Sequence, residues 1–390
     1  MLRRPVTHVF THFRKLGGVE SILRRLAESD ARLAPGNRVL SLFESAPFSL
    51  PNVAGLGLRG LSSPKTARRR LAAHTARHPR SGTWVYHNGW GLPFLAPADD
   101  AERRVSFMHS DWPGIGDWLA QQRGRLDGVV AVSHALLKLA ETHLALPPER
   151  LCWIPVPIAP PADTFVLTPT PPGRPLVLGF CGRVVVEQKR LDRLPALDRL
   201  LRQAGIEVRW EILGDGPYRG ELTARLPADA VFHGRQSGRS YWKALERWDL
   251  MVFTSDYEGL PISLIEHYCR GGIAVFPRIG CGGDDYVERV APELLYRPGD
   301  LTDATRAIRW YADRTPDQIL ELRRRAHALA AAHTGAAFES TLENHLERIT
   351  ELPRLSTAGD AAARPNLGWN LPFGLLRRLP ANHSWRRDLF

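Results

Sequence analysis

Short apolar runs alternate with stretches of helical period along most of the chain. Val6–Phe10, Arg38–Phe43, Trp84–His87, Val105–His109, Gly128–Ser133 and Leu151–Ile154 read as strands, with helices over Val19–Leu33 and Ala135–Leu144. The alternation resumes with strands at Leu176–Cys181, Glu207–Leu213, Val231–His233, Leu250–Thr254 and Ile273–Phe276. Helices are predicted over Leu191–Ala204, Arg239–Trp248 and Pro261–Arg270, and two or three more fill Leu301–Leu346. Apolar strands interleaved with helices predict an α/β fold with parallel sheets, buried on both faces.

The stretch Pro155–Pro175 breaks the pattern with eight prolines and reads as a stiff, extended linker. It predicts a first domain over 1–165 and a second over 166–350, whose last helices can pack back on the first. Residues 351–390 read as a basic tail containing Pro, Arg and Trp. A chain of 390 residues suits two such domains. Two domains of this type would place a ligand cleft at the carboxyl ends of their strands.

Charge refines the picture. Lys+Arg is 52 against Asp+Glu 41, a net charge of +11. Residues 1–165 hold 21 basic and 13 acidic side chains, residues 166–350 hold 25 of each, and the tail holds 6 and 3. Only five of the basic residues are lysines, so a single arginine says little and Lys189 says more. The excess permits nucleic acid, an anionic membrane or a phosphate ligand as partner. No apolar window is long enough for a spanning helix, and no leader-like apolar run follows the start, so a cytoplasmic protein is expected. The four cysteines form no C-x-x-C pair and the histidine pairs lack the zinc-protease context. There is no D-x-D, a pattern with which many nucleotide-sugar enzymes hold a metal, so neither metal nor cofactor is expected.

The densest chemical signal is Thr254-Ser-Asp-Tyr-Glu258-Gly259-Leu260-Pro261-Ile-Ser-Leu-Ile-Glu266, a strand end, a polar loop and a helix start. Two carboxylates bracketing an anion-binding turn suit a ligand with hydroxyls at both ends and phosphate between. The plain alternative is a capping acid and a solvated helix glutamate. Gly179-Phe-Cys-Gly-Arg183…Lys189 puts two cations on a strand-end loop, where they can hold a diphosphate and stabilise a leaving group. Gly214-Asp-Gly216-Pro217 and Gly17-Gly18-Val-Glu20 are further glycine turns after strands, and His109 follows a strand in the first half. The Gly17 turn lacks the dinucleotide G-x-G-x-x-G.

These elements, in this order, resemble the retaining GT-B glycosyltransferases, in particular glycosyltransferase family 4. The resemblance spans about residues 5–350 and rests on Gly17–Glu20, Val129–Ser133, Gly182–Lys189, Gly214–Pro217 and the Glu258–Glu266 pair. It implies two Rossmann-like domains facing a cleft and transfer of a sugar from a nucleoside-diphosphate donor to an acceptor hydroxyl, with retention of configuration. It implies that Arg183, Lys189, Gly17 and Gly18 hold the diphosphate, with Gly214 and Gly216 lining the donor site. Glu258 would contact the sugar, Gly259, Leu260 and Pro261 its hydroxyls or phosphate, and Glu266 the ribose. His109 would lie beside the sugar and Arg235 near the base. The bulkier His267, where the family has alanine, would stand near the ribose.

The expected catalytic set is therefore Glu258, His109, Arg183 and Lys189. The expected partners are the donor, a glycan or lipid-linked acceptor, and an anionic membrane surface met through Lys65–Arg80 and the tail. The expected pathway is synthesis of cell-surface polysaccharide, lipopolysaccharide or glycolipid. The alternatives are a non-catalytic nucleotide-sugar or nucleic-acid-binding protein and a GT-B epimerase or phosphorylase. No RNA-binding aromatic motif or helix-turn-helix signature supports nucleic acid.

Overall fold

A computed structural model describes residues 5–14, 17–33, 38–77, 82–92, 102–162, 166–167, 173–355 and 370–376. Lys15, the end of the basic stretch at 78–80 and most of the tail lie outside them. The chain forms two compact units, Met1–Ile154 with Glu339–Phe390, and Pro155–Phe338.

Unit 1 holds β1 (Val6–Phe10), β2 (Arg38–Ser41), β3 (Val53–Gly55), β4 (Gly82–His87), β5 (Glu102–Met108), β6 (Gly128–Ala131) and β7 (Leu151–Trp153). Their spatial order is β3-β2-β1-β4-β5-β6-β7, and every pair is parallel. Helices α1 (Gly18–Leu33), α2 (Pro64–Arg77), α3 (Ile115–Gln121) and α4 (His134–Leu144) connect them. Val85, Val105, Phe107 and Val130 are wholly buried, as a parallel sheet covered on both faces requires. In α2, Pro64, Ala67 and Leu71 face inward at helical spacing while Lys65, Arg69 and Arg77 are exposed, so the basic stretch is an amphipathic surface helix.

Unit 2 holds β8 (Leu176–Cys181), β9 (Val208–Leu213), β10 (Val231–Gly234), β11 (Leu250–Val252), β12 (Ile273–Pro277) and β13 (Leu295–Tyr296). The order is β10-β9-β8-β11-β12-β13, again all parallel. Its helices are α5 (Leu194–Gln203), α6 (Arg219–Arg225), α7 (Gly238–Arg247), α8 (Ile262–Cys269), α9 (Gly282–Val290), α10 (Leu301–Ala312) and α11 (Pro316–Ala330). Helix α12 (Gly335–Glu351) begins in unit 2 and continues in unit 1, and the short α13 (Phe373–Leu376) belongs to unit 1. Phe180, Trp210, Phe253, Phe276 and Tyr268 form the large buried side chains of unit 2.

The division differs from the expected 165/166. Residues after Ile154 are already tied into unit 2: the Ile158 N–H donates to the His333 carbonyl (3.0 Å), and His333 Nδ1 lies 2.9 Å from the Val156 carbonyl. Residues 339–350 fall with unit 1 because Arg25 pairs with Glu339 and Ile349 packs on Gly128. Strands β5, β6 and β11 stop short of their expected ends, which leaves His109, Ser133 and Thr254 on the following loops. Ser133 caps α4, accepting from the Leu136 N–H.

The glycines of the Gly214-Asp-Gly216 turn are there for close backbone approach. A Cβ at Gly214, whose φ is 140°, would lie 1.9 Å from the Gly182 carbonyl oxygen, and one at Gly216 would lie 2.3 Å from that of Val184. Gly214→Ala should therefore destabilise unit 2 by about 2–3 kcal/mol. Gly220→Ala, in α6 with open space around it, should be neutral or stabilise by up to about 1 kcal/mol. Denaturant midpoints of the two variants check this contrast.

Candidate active site

Strand order in unit 2 reverses between β8 and β11, the position where doubly wound sheets leave a crevice at the strand carboxyl ends. The loops that leave those two strands, 182–190 and 253–261, carry the cationic and acidic motifs. Thr254 joins them: its hydroxyl donates to the Lys189 carbonyl at 2.7 Å. Arg193 donates to the Thr254 carbonyl at 2.7 Å, and Arg190 and Arg193 both pair with Asp256.

At the centre stands Glu258, 5% exposed. Lys189 Nζ lies 2.5 Å from its Oε1, and the Ser255 hydroxyl donates to the same oxygen at 2.6 Å. The Gln188 amide donates to the Tyr257 carbonyl at 3.1 Å and reaches Glu258 Oε2 at 3.4 Å. Arg183 donates to the Gln188 side-chain oxygen at 2.8 Å. One network thus runs from Arg183 through Gln188 to Glu258 and Lys189. A buried carboxylate is tolerable only with such partners. An ammonium has three donors, so Lys189 can serve Glu258 and still donate to an anion. Arg183 is exposed, with its guanidinium held by one bond at one edge.

Helix α8 starts at Ile262 with Pro261 as its N-cap. Pro261 has no N–H and cannot donate to a ligand, which corrects its expected role; the Gly259 and Leu260 amides and the first α8 amides remain as donors. The N-terminus of α9 abuts the same loop, since the Gly282 N–H donates to the Gly259 carbonyl at 2.8 Å. Sequence pattern did not predict α9. Its first turn holds Gly282 and Gly283, poor helix formers; at Gly283 a Cβ would meet the Phe276 ring at 2.3 Å.

Glu266 lies on α8 and accepts a hydrogen bond from the Tyr241 hydroxyl of α7. Tyr241 also meets the Cys181 thiol at the end of β8, at 3.5 Å. Although Glu266 keeps some solvent contact, the dense protein around it desolvates the carboxylate and raises its pKa to about 7, against a smaller lowering by the Tyr241 bond. His267 does not approach this group. It is wholly buried, its Nε2 lies 3.1 Å from the Ile273 carbonyl, and its ring fills the space where Gly272 would carry a Cβ.

Gly214 and Gly216 abut the Arg183 loop as described, and the Gly214 N–H donates to the Gly234 carbonyl at 2.8 Å, which places the exposed Arg235 on the next loop along the same sheet edge. In unit 1, Gly17 accepts from the Ser21 amide and hydroxyl at 3.0 and 2.9 Å, so it caps α1, whose first residue is Gly18. His109 follows β5, its N–H held by the Asn88 side chain at 2.8 Å. Sequence reasoning missed three neutral residues: Gln188 and Tyr241, whose partners lie on separate segments, and Ser255, which donates to Glu258 within the same loop. It also missed His8 and His87, which line up behind His109 (3.0 and 2.7 Å between ring nitrogens).

Residues 175–314 match the family model described as glycosyl transferases group 1. A 2-deoxystreptamine glucosyltransferase of Streptomyces kanamyceticus is 29% identical over 155 residues, which cover 38% of this chain and 39% of that protein. HepE of Anabaena, solved with UDP and glucose, superposes with a TM-score of 0.65 at 15% identity over 90% of this chain and 100% of its own. TarM of S. aureus, solved with UDP and sugar ligands, gives 0.58 at 17% identity over 73% of this chain, which spans 59% of TarM. The expected site residues all fall inside the matched segment except Gly17, Gly18 and His109; the chain has the GT-B fold, and this segment of it is similar to the group 1 glycosyltransferases.

Proposed function

We propose that the chain transfers a sugar from a nucleoside-diphosphate donor to an acceptor hydroxyl with retention of configuration, as in glycosyltransferase family 4. The observation that carries this reading is the Arg183–Gln188–Glu258–Lys189 network at the strand reversal. Two cations there suit a diphosphate, and the UDP held by HepE and TarM makes a uridine donor the first to test. Lys189 and Arg183 would stabilise charge developing on the leaving phosphate, and such preorganised donors act without reorganisation at the moment of reaction. Glu258 would orient Lys189 and offer its remaining acceptor capacity to sugar hydroxyls. The Gly259, Leu260 and early α8 amides would bind phosphate or hydroxyl oxygens. Glu266 would accept from a ribose hydroxyl. His109, Gly17 and Gly18 would contact substrate from unit 1, and Arg235 the base. No metal or cofactor is invoked.

Synthesis of a cell-surface polysaccharide, lipopolysaccharide or glycolipid fits the cationic, amphipathic α2. Its exposed Lys65, Arg69 and Arg77 have no acidic residue nearby in the sequence, since none occurs between Glu44 and Asp99. No described helix is long and apolar enough to cross a membrane, so the proposed membrane contact is peripheral and electrostatic.

Among UDP-, GDP- and ADP-sugars, at least one should raise the melting temperature. With that donor Lys189→Ala and Glu258→Gln should each lower kcat about 10²–10³-fold; unchanged turnover in both defeats the assignment. Glu266 holds its proton to about pH 7 in the folded state and releases it near 4.5 when unfolded. The folded state thus binds more protons across that window, and stability falls as pH rises through it. Glu266→Gln should remove this part of the decline between pH 4.5 and 7, read as melting temperature against pH. Finally, Lys65→Glu with Arg69→Glu should weaken co-sedimentation with anionic vesicles and leave donor binding unchanged.

A further inference from the structure

Three histidines stand in one line inside unit 1. His8 lies on β1, His87 ends β4 and His109 follows β5, on adjacent strands of the sheet. His8 Nδ1 is 3.0 Å from His87 Nε2, and His87 Nδ1 is 2.7 Å from His109 Nε2. The second pair of rings is within 8° of parallel. At 2.7 Å the two nitrogens are closer than nonbonded contact allows, so these rings meet edge to edge through a hydrogen bond and do not stack face to face. Phe107 covers both, with ring centroids 4.2 Å from His109 and 5.0 Å from His87. The residues are 2%, 0% and 9% exposed in the order His8, His87, His109. Burial lowers the pKa of His8 to about 4 and of His109 to about 3, and lowers that of His87 well below its ordinary value, so all three are neutral at pH 7.

Three neutral imidazoles carry three ring protons, and the two inter-ring bonds use one each. Each bond needs one donor and one acceptor, so only two arrangements keep both. In one, His8 Nδ1–H donates to His87 Nε2, His87 Nδ1–H donates to His109 Nε2, and the third proton sits on His109 Nδ1. In the other, every proton moves to Nε2, both bonds reverse, and the third proton sits on His8 Nε2. The end proton needs an acceptor, and an N–H shut away from one costs more than a bare ring nitrogen. His109 is the more accessible end.

We propose that His8 and His87 act as positioning residues that hold His109 in its Nδ1–H form, so that Nδ1 is a fixed hydrogen-bond donor toward an oxygen of the bound substrate. A histidine in water favours the Nε2–H tautomer, so the line selects the less common form at no cost in charge. Asn88 completes the arrangement: its side chain holds the His109 N–H, and its own N–H donates to the Phe107 carbonyl at 2.8 Å. The tautomer assignment is independent of the proposed reaction, and only its catalytic consequence rests on that reading.

The test is 15N imidazole NMR of the full chain with labelled histidine, assigned with single-site variants. In the wild-type protein at pH 7, His87 and His109 should both show Nδ1–H; an Nε2–H signal for His109 overturns the proposal, and this measurement needs no variant to fold. In His87→Phe, His109 should revert to Nε2–H, whereas His87→Asn, whose amide N–H can replace the ring donor, should preserve Nδ1–H. A His109 tautomer indifferent to both changes overturns it as well. Where turnover of a nucleotide sugar is found, His87→Phe should lower kcat about fivefold to tenfold at unchanged KM, and His87→Asn should restore most of it. Loss of turnover in Lys189→Ala with the wild-type tautomer intact separates the donor reading from this one.

Discussion

Glu258 is a buried carboxylate in the loop that follows a central strand, and much of unit 2 is arranged so that it can stay there. Taking a charge out of water costs several kcal/mol unless opposite charge and hydrogen-bond donors replace the lost solvent. Lys189, Ser255 and Gln188 supply these from two loops. Those loops can meet because β8 and β11 are neighbours at the point where strand order reverses. The topology therefore fixes where the pair can exist, and the pair in turn fixes the loop that leads into α8. The glycines at 214 and 216 belong to the same requirement, because they let the β9 loop press against the backbone that carries Arg183.

The parallel α/β architecture was legible because its signal is repeated many times. A buried parallel strand must be apolar on both faces, so most runs announced themselves without help from distant residues; the short edge strands β3 and β13 did not. The candidate site was legible where one loop holds the whole signal, as in Glu258–Glu266 and Arg183–Lys189. It was not legible where a role depends on pairing between loops. Gln188 is an ordinary polar residue in the sequence; only the fold puts its amide between Arg183 and Glu258. His267 was misplaced for the opposite reason. Its neighbour Glu266 suggested a polar setting, but successive helix positions point about 100° apart, and His267 faces the core against Trp248. The domain division moved because proline density marks stiffness, and a stiff segment can still be hydrogen-bonded into a domain, as Val156 and Ile158 are.

The two halves of the chain carry their charge in different ways, and this bears on the net charge. Unit 2 uses compensated charge: Lys189 on Glu258, Arg190 and Arg193 on Asp256, and Arg174 bidentate on Asp249 at 2.7 and 2.8 Å. Residues 166–350 accordingly balance 25 basic against 25 acidic side chains, and an anionic ligand would meet a few fixed donors with no broad positive field around them. Inside unit 1, β1, the end of β4 and the loop after β5 carry neutral imidazoles in a line, where any net charge would face the same desolvation cost. Among the described residues of unit 1, Arg104 is buried against Glu102, whereas Lys65, Arg69 and Arg77 of α2 are exposed. Exposed cations cost little to keep and act over about a Debye length, which suits attraction to an extended anionic surface. Buried, paired cations act only at contact, which suits holding one diphosphate in one geometry. The chain's net charge of +11 therefore lies in residues 1–165 and the tail, and the chemistry proposed for unit 2 depends on a network in which Arg183 and Lys189 exceed Glu258 by a single positive charge.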